Sequence, residues 1–172
     1  MLILMGMLLA CVGEKPGTDT GGGDSGHTGE TAASTCDTTH EECAPGVSGC
    51  GGEGANMLPG SDCMSCHTGE GENLVAEDAP RWTAAGTLFS DADGSSGVAD
   101  ATVRITDSTG TVVELTTSSK GNFYTARALT LPISAEVETA DGIVSMGRMP
   151  DTAACNSCHR CEGEAGGKMY AP

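Results

Sequence analysis

The chain has 172 residues and a formal net charge of −16, from 8 basic and 24 acidic side chains. That balance excludes nucleic-acid binding, which needs clustered Lys and Arg, and it favours cationic or basic partners at long range. Only five residues are aromatic (Trp82, Phe89, Phe123, Tyr124 and Tyr170), so the expectation is one domain with a modest core, plus tails.

Residues 1–10 are apolar and uncharged. The run is too short to cross a bilayer as a helix and fits the hydrophobic part of a secretory signal. It ends in Leu8-Leu9-Ala10-Cys11, which resembles the lipobox of bacterial lipoproteins. The resemblance implies cleavage before Cys11, lipidation of Cys11 and, with Val12 rather than Asp following, an outer-membrane destination. Residues 11–35 are rich in Gly, Thr and Asp and are expected to be a disordered tether, about 25 Å across as a coil and about 80 Å extended. His27 within it is expected to be solvated.

Residues 36–56 carry Cys36, Cys43 and Cys50 among Gly, Pro and Glu. This reads as a stapled loop. A small metal site from Cys36, His40 and Cys43 is the competing reading, and His40 is a candidate haem ligand if the staples hold it near an iron.

Residues 57–83 contain Cys63-Met64-Ser65-Cys66-His67, and residues 148–172 contain Cys155-Asn156-Ser157-Cys158-His159. Each is a C-x-x-C-H pentapeptide, the attachment signature of c-type haem. On a helical turn, two Cys three residues apart share a face, so both thiols can reach the vinyl groups of one porphyrin. The His that follows can then ligate the iron. The surroundings repeat as well: Met57 precedes Cys63 by six residues and Met149 precedes Cys155 by six, each followed closely by Pro. A thioether is a common sixth ligand of haem iron, which makes Met57 and Met149 candidate distal ligands. Two Cys pairs can also cage zinc. However, Cys66 and Cys155 lie 89 positions apart, and a His directly follows each pair. Ser61 or Asp62 is expected to cap the first turn and Thr152 the second. Trp82 is expected either on a haem face or at the start of the core.

Residues 84–147 change character to short β-rich runs split by turn signals. Strands are expected near 85–90, 101–106, 111–118, 122–126, 133–139 and 142–147. Asp107-Ser108-Thr109-Gly110 and Asp141-Gly142 read as hairpin turns. Val103, Ile105, Val113 and Leu115 alternate with polar residues, as half-buried strands should. The fold class expected is mainly β: a small antiparallel sandwich of about six strands, flanked by two short helical or loop C-x-x-C-H segments. Asp91-Ala92-Asp93-Gly94 reads as a plain turn rather than a calcium loop, since the full loop pattern is missing.

Gly86-Thr87-Leu88-Phe89, residues 97–103 and Gly121-Asn122-Phe123-Tyr124 resemble the carboxypeptidase-regulatory-like, transthyretin-like sandwich family. With the pentapeptides on either side, residues 57–160 resemble sandwich modules of bacterial multihaem cytochromes. The nine cysteines then divide without remainder. Cys63, Cys66, Cys155 and Cys158 are expected to anchor two covalently bound haem c groups, with His67 and His159 as iron ligands. Cys11 goes to lipid. Cys36, Cys43, Cys50 and Cys161 remain for two disulfides of open connectivity, with Cys161 able to draw the chain ends together.

The function expected is electron transfer by an exported, outer-membrane-anchored dihaem protein, facing the periplasm or the cell surface. Its partners would be redox proteins or an extracellular acceptor, and no catalytic role is expected. The alternatives are a haem enzyme or sensor with one open coordination site, a β-sandwich binding module at the cell surface, and a unit in a stacked cytochrome array.

Overall fold

A computed structural model describes residues 36–41, 54–67, 80–147 and 150–171. The expectations for the leader, Cys11, the tether, His27, Cys43, Cys50 and Met149 fall outside the described residues. Among the described residues no helix is long and apolar enough to cross a membrane.

The order of elements is α1 (Met64–His67), β1 (Ala84–Thr87), β2 (Thr102–Asp107), β3 (Val112–Thr116), β4 (Asn122–Thr125), β5 (Ile133–Thr139), β6 (Gly142–Ser145) and α2 (Cys155–Cys158). All strand pairings are antiparallel. A two-stranded sheet, β1-β4, accompanies a four-stranded sheet in the order β3-β2-β5-β6. The chain is thus a small, mainly β sandwich with a helical turn before it and another after it.

Period-two patterning explains the layering. In β2, Val103 and Ile105 turn inward while Thr102, Arg104 and Thr106 are half-buried. Because successive side chains of a strand point to opposite faces, the inward set meets Ile133 and Val137 of β5 and Phe123 of β4 in one core. On the outer face Arg104 pairs with Glu114 of β3 and Glu138 of β5, each at 2.6 Å, lacing three strands together. The β2–β3 turn is built on Asp107, whose carboxylate accepts the N–H groups of Thr109, Thr111 and Thr130 and the Thr109 hydroxyl. The Asp91 carboxylate likewise accepts the Ser95 N–H within its own turn.

The C-terminal segment returns along β1. Ala85 bridges Ala154 and Phe89 bridges Tyr170, both in parallel. Gly86 makes the first approach possible, since a Cβ there would lie 2.6 Å from the Phe123 ring and 2.8 Å from Cys155 Cβ. The strap of residues 36–41 is fastened to the same end of the molecule. Cys36 forms a disulfide with Cys161, and Asp37 N–H donates to Asp93 O. The buried Glu41 carboxylate accepts both Lys168 Nζ and the Cys161 N–H at 2.6 Å. With its sulfur in that bridge, Cys36 is not a free thiolate for a metal, and His40 lies within electrostatic reach of Asp37.

Candidate haem sites

The two pentapeptides are 92 positions apart by their first Cys (155 − 63) and meet in space. Each forms one helical turn, as the Cys spacing predicts. In the first, Asp62 is the cap: its Oδ1 accepts the Met64 N–H at 3.1 Å, while the Ser61 hydroxyl donates to Leu58 O instead. In the second, the helix begins two residues later than expected. Ala154 occupies the N-cap without a side-chain bond, and Thr152 accepts only the Ala154 N–H.

What joins the turns is a buried polar hub on β1. Thr87 Oγ1 donates to Asn122 Oδ1 at 2.9 Å and accepts from Gly60 N and Asn156 Nδ2, each at 3.0 Å. A hydroxyl has one proton and two lone pairs, so this one is saturated. Asn156, inside the second pentapeptide, also donates to Ser61 O at 2.7 Å and accepts the Thr87 N–H at 3.0 Å. Asn122 donates to Met57 O at 2.7 Å and to Ala55 O at 3.2 Å. One network thus positions the segment before Cys63 and the turn holding Cys155. Among the described residues no buried side-chain polar atom lacks a partner.

Cys63 and Cys155 come within electrostatic reach of each other as a result. Burial is the main reason that the Cys63 thiol is pushed up to about 11, with the Asp62 carboxylate adding to it. Burial also pushes Cys155 up to about 12, with the charge of a Cys63 thiolate next in importance. Both are therefore protonated thiols at neutral pH. A dithiol oxidoreductase needs the opposite, a depressed thiol pKa. Cys66 is likewise free, whereas Cys158 is disulfide-bonded. That bond is at odds with both a thioether and a zinc thiolate at this sulfur, and either would require its prior reduction.

His67 is buried, and its Nδ1 lies 2.8 Å from Pro80 O. A carbonyl only accepts, so in the neutral ring Nδ1 carries the proton and Nε2 keeps the lone pair. This is the arrangement of a metal-ligating imidazole whose other nitrogen is tied to the backbone. Trp82 stacks on His67 with centroids 3.7 Å apart, and Tyr124 stacks on Trp82 at 4.2 Å. Met57 lines the same recess as Cys63, Cys66 and His67, a space of about 30 Å³ that takes water and little else. The donor set of this first site suits a haem. Its volume does not enclose one.

The second site is roomier. Cys155, Cys158 and His159 line a cavity of about 590 Å³ together with Phe123, Ile133 and Val137, within the size range of cofactor pockets. Burial holds the His159 imidazole below its usual range, against a hydrogen bond to the Gly167 backbone, so the ring is neutral and able to ligate. Volume, lining and imidazole suit a haem here; the sulfur of Cys158 suits one only after reduction. Met146 and Met169, which the repeat did not single out, also line this cavity. Among the described residues no group of three or more His, Cys, Asp or Glu is placed to hold a metal ion. No protein-family model, curated protein or solved structure matches the chain.

Proposed function

We propose that this chain is a dihaem c-type electron carrier. The observation that supports it most is the meeting of both C-x-x-C-H segments at Thr87. Thioethers at these cysteines would tie two haems to one polar hub, which would suit electron exchange within one molecule. When bound, each haem supplies a reversible one-electron iron couple.

The chain's own part is positioning. Cys63 and Cys66 would hold one porphyrin, and Cys155 and Cys158 the other once the Cys158 disulfide is reduced. His67 offers Nε2 because Pro80 O occupies Nδ1, and His159 is kept neutral by burial. Met57, anchored through its carbonyl by Asn122, is the candidate sixth ligand at the first site, and Met149 is proposed for the second. Export and anchoring through Cys11 belong to the same reading. The Cys36–Cys161 bridge supports an oxidising compartment.

The test is a pyridine haemochrome assay on protein matured in a host that attaches haem c. Two haems per chain are expected, and colourless protein overturns the proposal. Met57→Ala is expected to lower one midpoint potential and to admit carbon monoxide to one haem of the two. An unchanged potential and no carbon monoxide complex would remove Met57 from the ligand set.

A further inference from the structure

The two pentapeptides differ in the state of their sulfurs. Cys63, Cys66 and Cys155 are free, whereas Cys158 is disulfide-bonded. Cys36 and Cys161 are joined to each other. The bond at Cys158 therefore runs to a cysteine outside both pentapeptides, and it does not close the C-x-x-C pair on itself. The second turn keeps one thiol and has one sulfur already committed.

The fold fixes that thiol from the β1 side. Ala153 O accepts the Ala85 N–H at 3.1 Å and the Cys155 S–H at 3.6 Å. A Cβ at Gly86 would stand 2.8 Å from Cys155 Cβ, so β1 packs directly on this residue. Asn156, the next position, is bonded to Thr87 and Ser61. Thiol–disulfide exchange proceeds through a thiolate, and burial keeps the Cys155 sulfur protonated at neutral pH. A thiol and a disulfide can thus stand three positions apart without exchanging. Cys155, Cys158 and His159 line the same cavity of about 590 Å³, whose other walls include Phe123, Ile133 and Val137. While the bond at Cys158 stands, that cavity is offered one thiol and one imidazole.

We propose that the Cys158 disulfide sets the number of thioethers at the second site: while it stands, a haem in this cavity is held through Cys155 alone, and reduction by a dithiol admits the second bond. This rests on the haem reading above. The Cys155 S–H adds across one vinyl double bond. The sulfur bonds to one vinyl carbon and the hydrogen goes to the other, with no group leaving and no outside oxidant or reductant. The Cys158 disulfide takes two electrons and two protons from the dithiol, which itself becomes a disulfide. The freed Cys158 S–H then adds across the remaining vinyl group in the same way.

Peptide mapping tests it. Tryptic cleavage after Arg148 and Arg160 releases residues 149–160, which contain Cys155 and Cys158 and no other cysteine. In the full haem-free chain, purified without reductant, thiols are alkylated in denaturant, the disulfides are then reduced, and a second alkylating reagent is added. Cys155 should carry the first label and Cys158 the second; any other distribution overturns the inference. Ferrous haem is next added anaerobically to the full chain, with or without dithiothreitol, before the same labelling. Without dithiothreitol the peptide should carry haem on Cys155 and the second label on Cys158. With it, both sulfurs should hold haem. The pyridine haemochrome band of the peptide should lie at longer wavelength in the first case, because an unreacted vinyl group extends the conjugation of the ring. Cys155→Ser should lose all covalent haem from this peptide without dithiothreitol and regain one bond with it. Haem attached in any other pattern overturns this inference alone. A parent peptide free of haem under both conditions overturns the haem reading of the second site.

Discussion

Thr87 carries one hydroxyl and no charge, yet both pentapeptides are located through it. Thr87→Val keeps the shape and removes the hub, leaving Gly60 N–H, Asn122 Oδ1 and one Asn156 N–H without their partner. Unmade buried bonds cost about 1–3 kcal/mol each and are not additive, so a loss of about 2–4 kcal/mol in urea unfolding is expected, against a small change for Thr106→Val on the half-buried outer face. The paired residues are separated by 27, 35 and 69 positions, which is why no sequence window displays this role. Asn122 and Thr87 do stand in the runs that resemble the sandwich family, and Asn156 stands inside the second pentapeptide, but nothing local says that they join. The helical turn at each C-x-x-C-H was legible because the spacing within one turn is a local signal. The ring partners of His67 were not, since Tyr124 reaches it only through sheet pairing.

At the level of elements, all six strands were legible, because alternation and turn chemistry are local signals. Asp107 at the β2–β3 turn gives that legibility a measurable consequence. The Thr109 hydroxyl is the main reason that its carboxyl is held down to about 2, with the backbone N–H groups of Thr130, Thr111 and Thr109 adding to it. A carboxyl whose folded pKa lies below its unfolded value stabilises the fold above the unfolded pKa, near 3.8. That contribution is lost as pH falls through the folded pKa. Urea midpoints should therefore drop between about pH 4 and pH 2, and Asp107→Asn should flatten that part of the profile. An identical profile in the variant would remove Asp107 as the cause. The division into two and four strands was not legible. It depends on β1 choosing β4 and β5 choosing β2, and those pairings arise from the shared core and the close approach at Gly86. The late start of α2 has a similar origin: Ala154 is held in its bridge to Ala85, so Thr152 caps the approach and not the helix.

For the molecule as a whole, the core is small: Phe89 and Phe123 are its buried aromatic residues, while Tyr124 and Tyr170 are exposed. Trp82, Phe123 and Tyr124 border the first recess, and Phe123 and Tyr170 the second. The expectation that Cys161 would draw the ends together holds with Cys36 as its partner, across a separation of 125 residues. Closing so long a loop restricts the unfolded chain, so Cys36→Ser should be destabilising, by at most about 4–5 kcal/mol on the chain-entropy account because the Cys158 disulfide still constrains the unfolded variant. The measurement is urea unfolding of the variant beside the oxidised parent; equal stability of the two would refute it. The same bond makes a covalent ring that contains both C-x-x-C-H turns. A protease that nicks any backbone position between residues 36 and 161 would open the ring without releasing a piece. On a denaturing gel run without thiol the nicked protein should stay a single species, and only added reductant should separate the fragments.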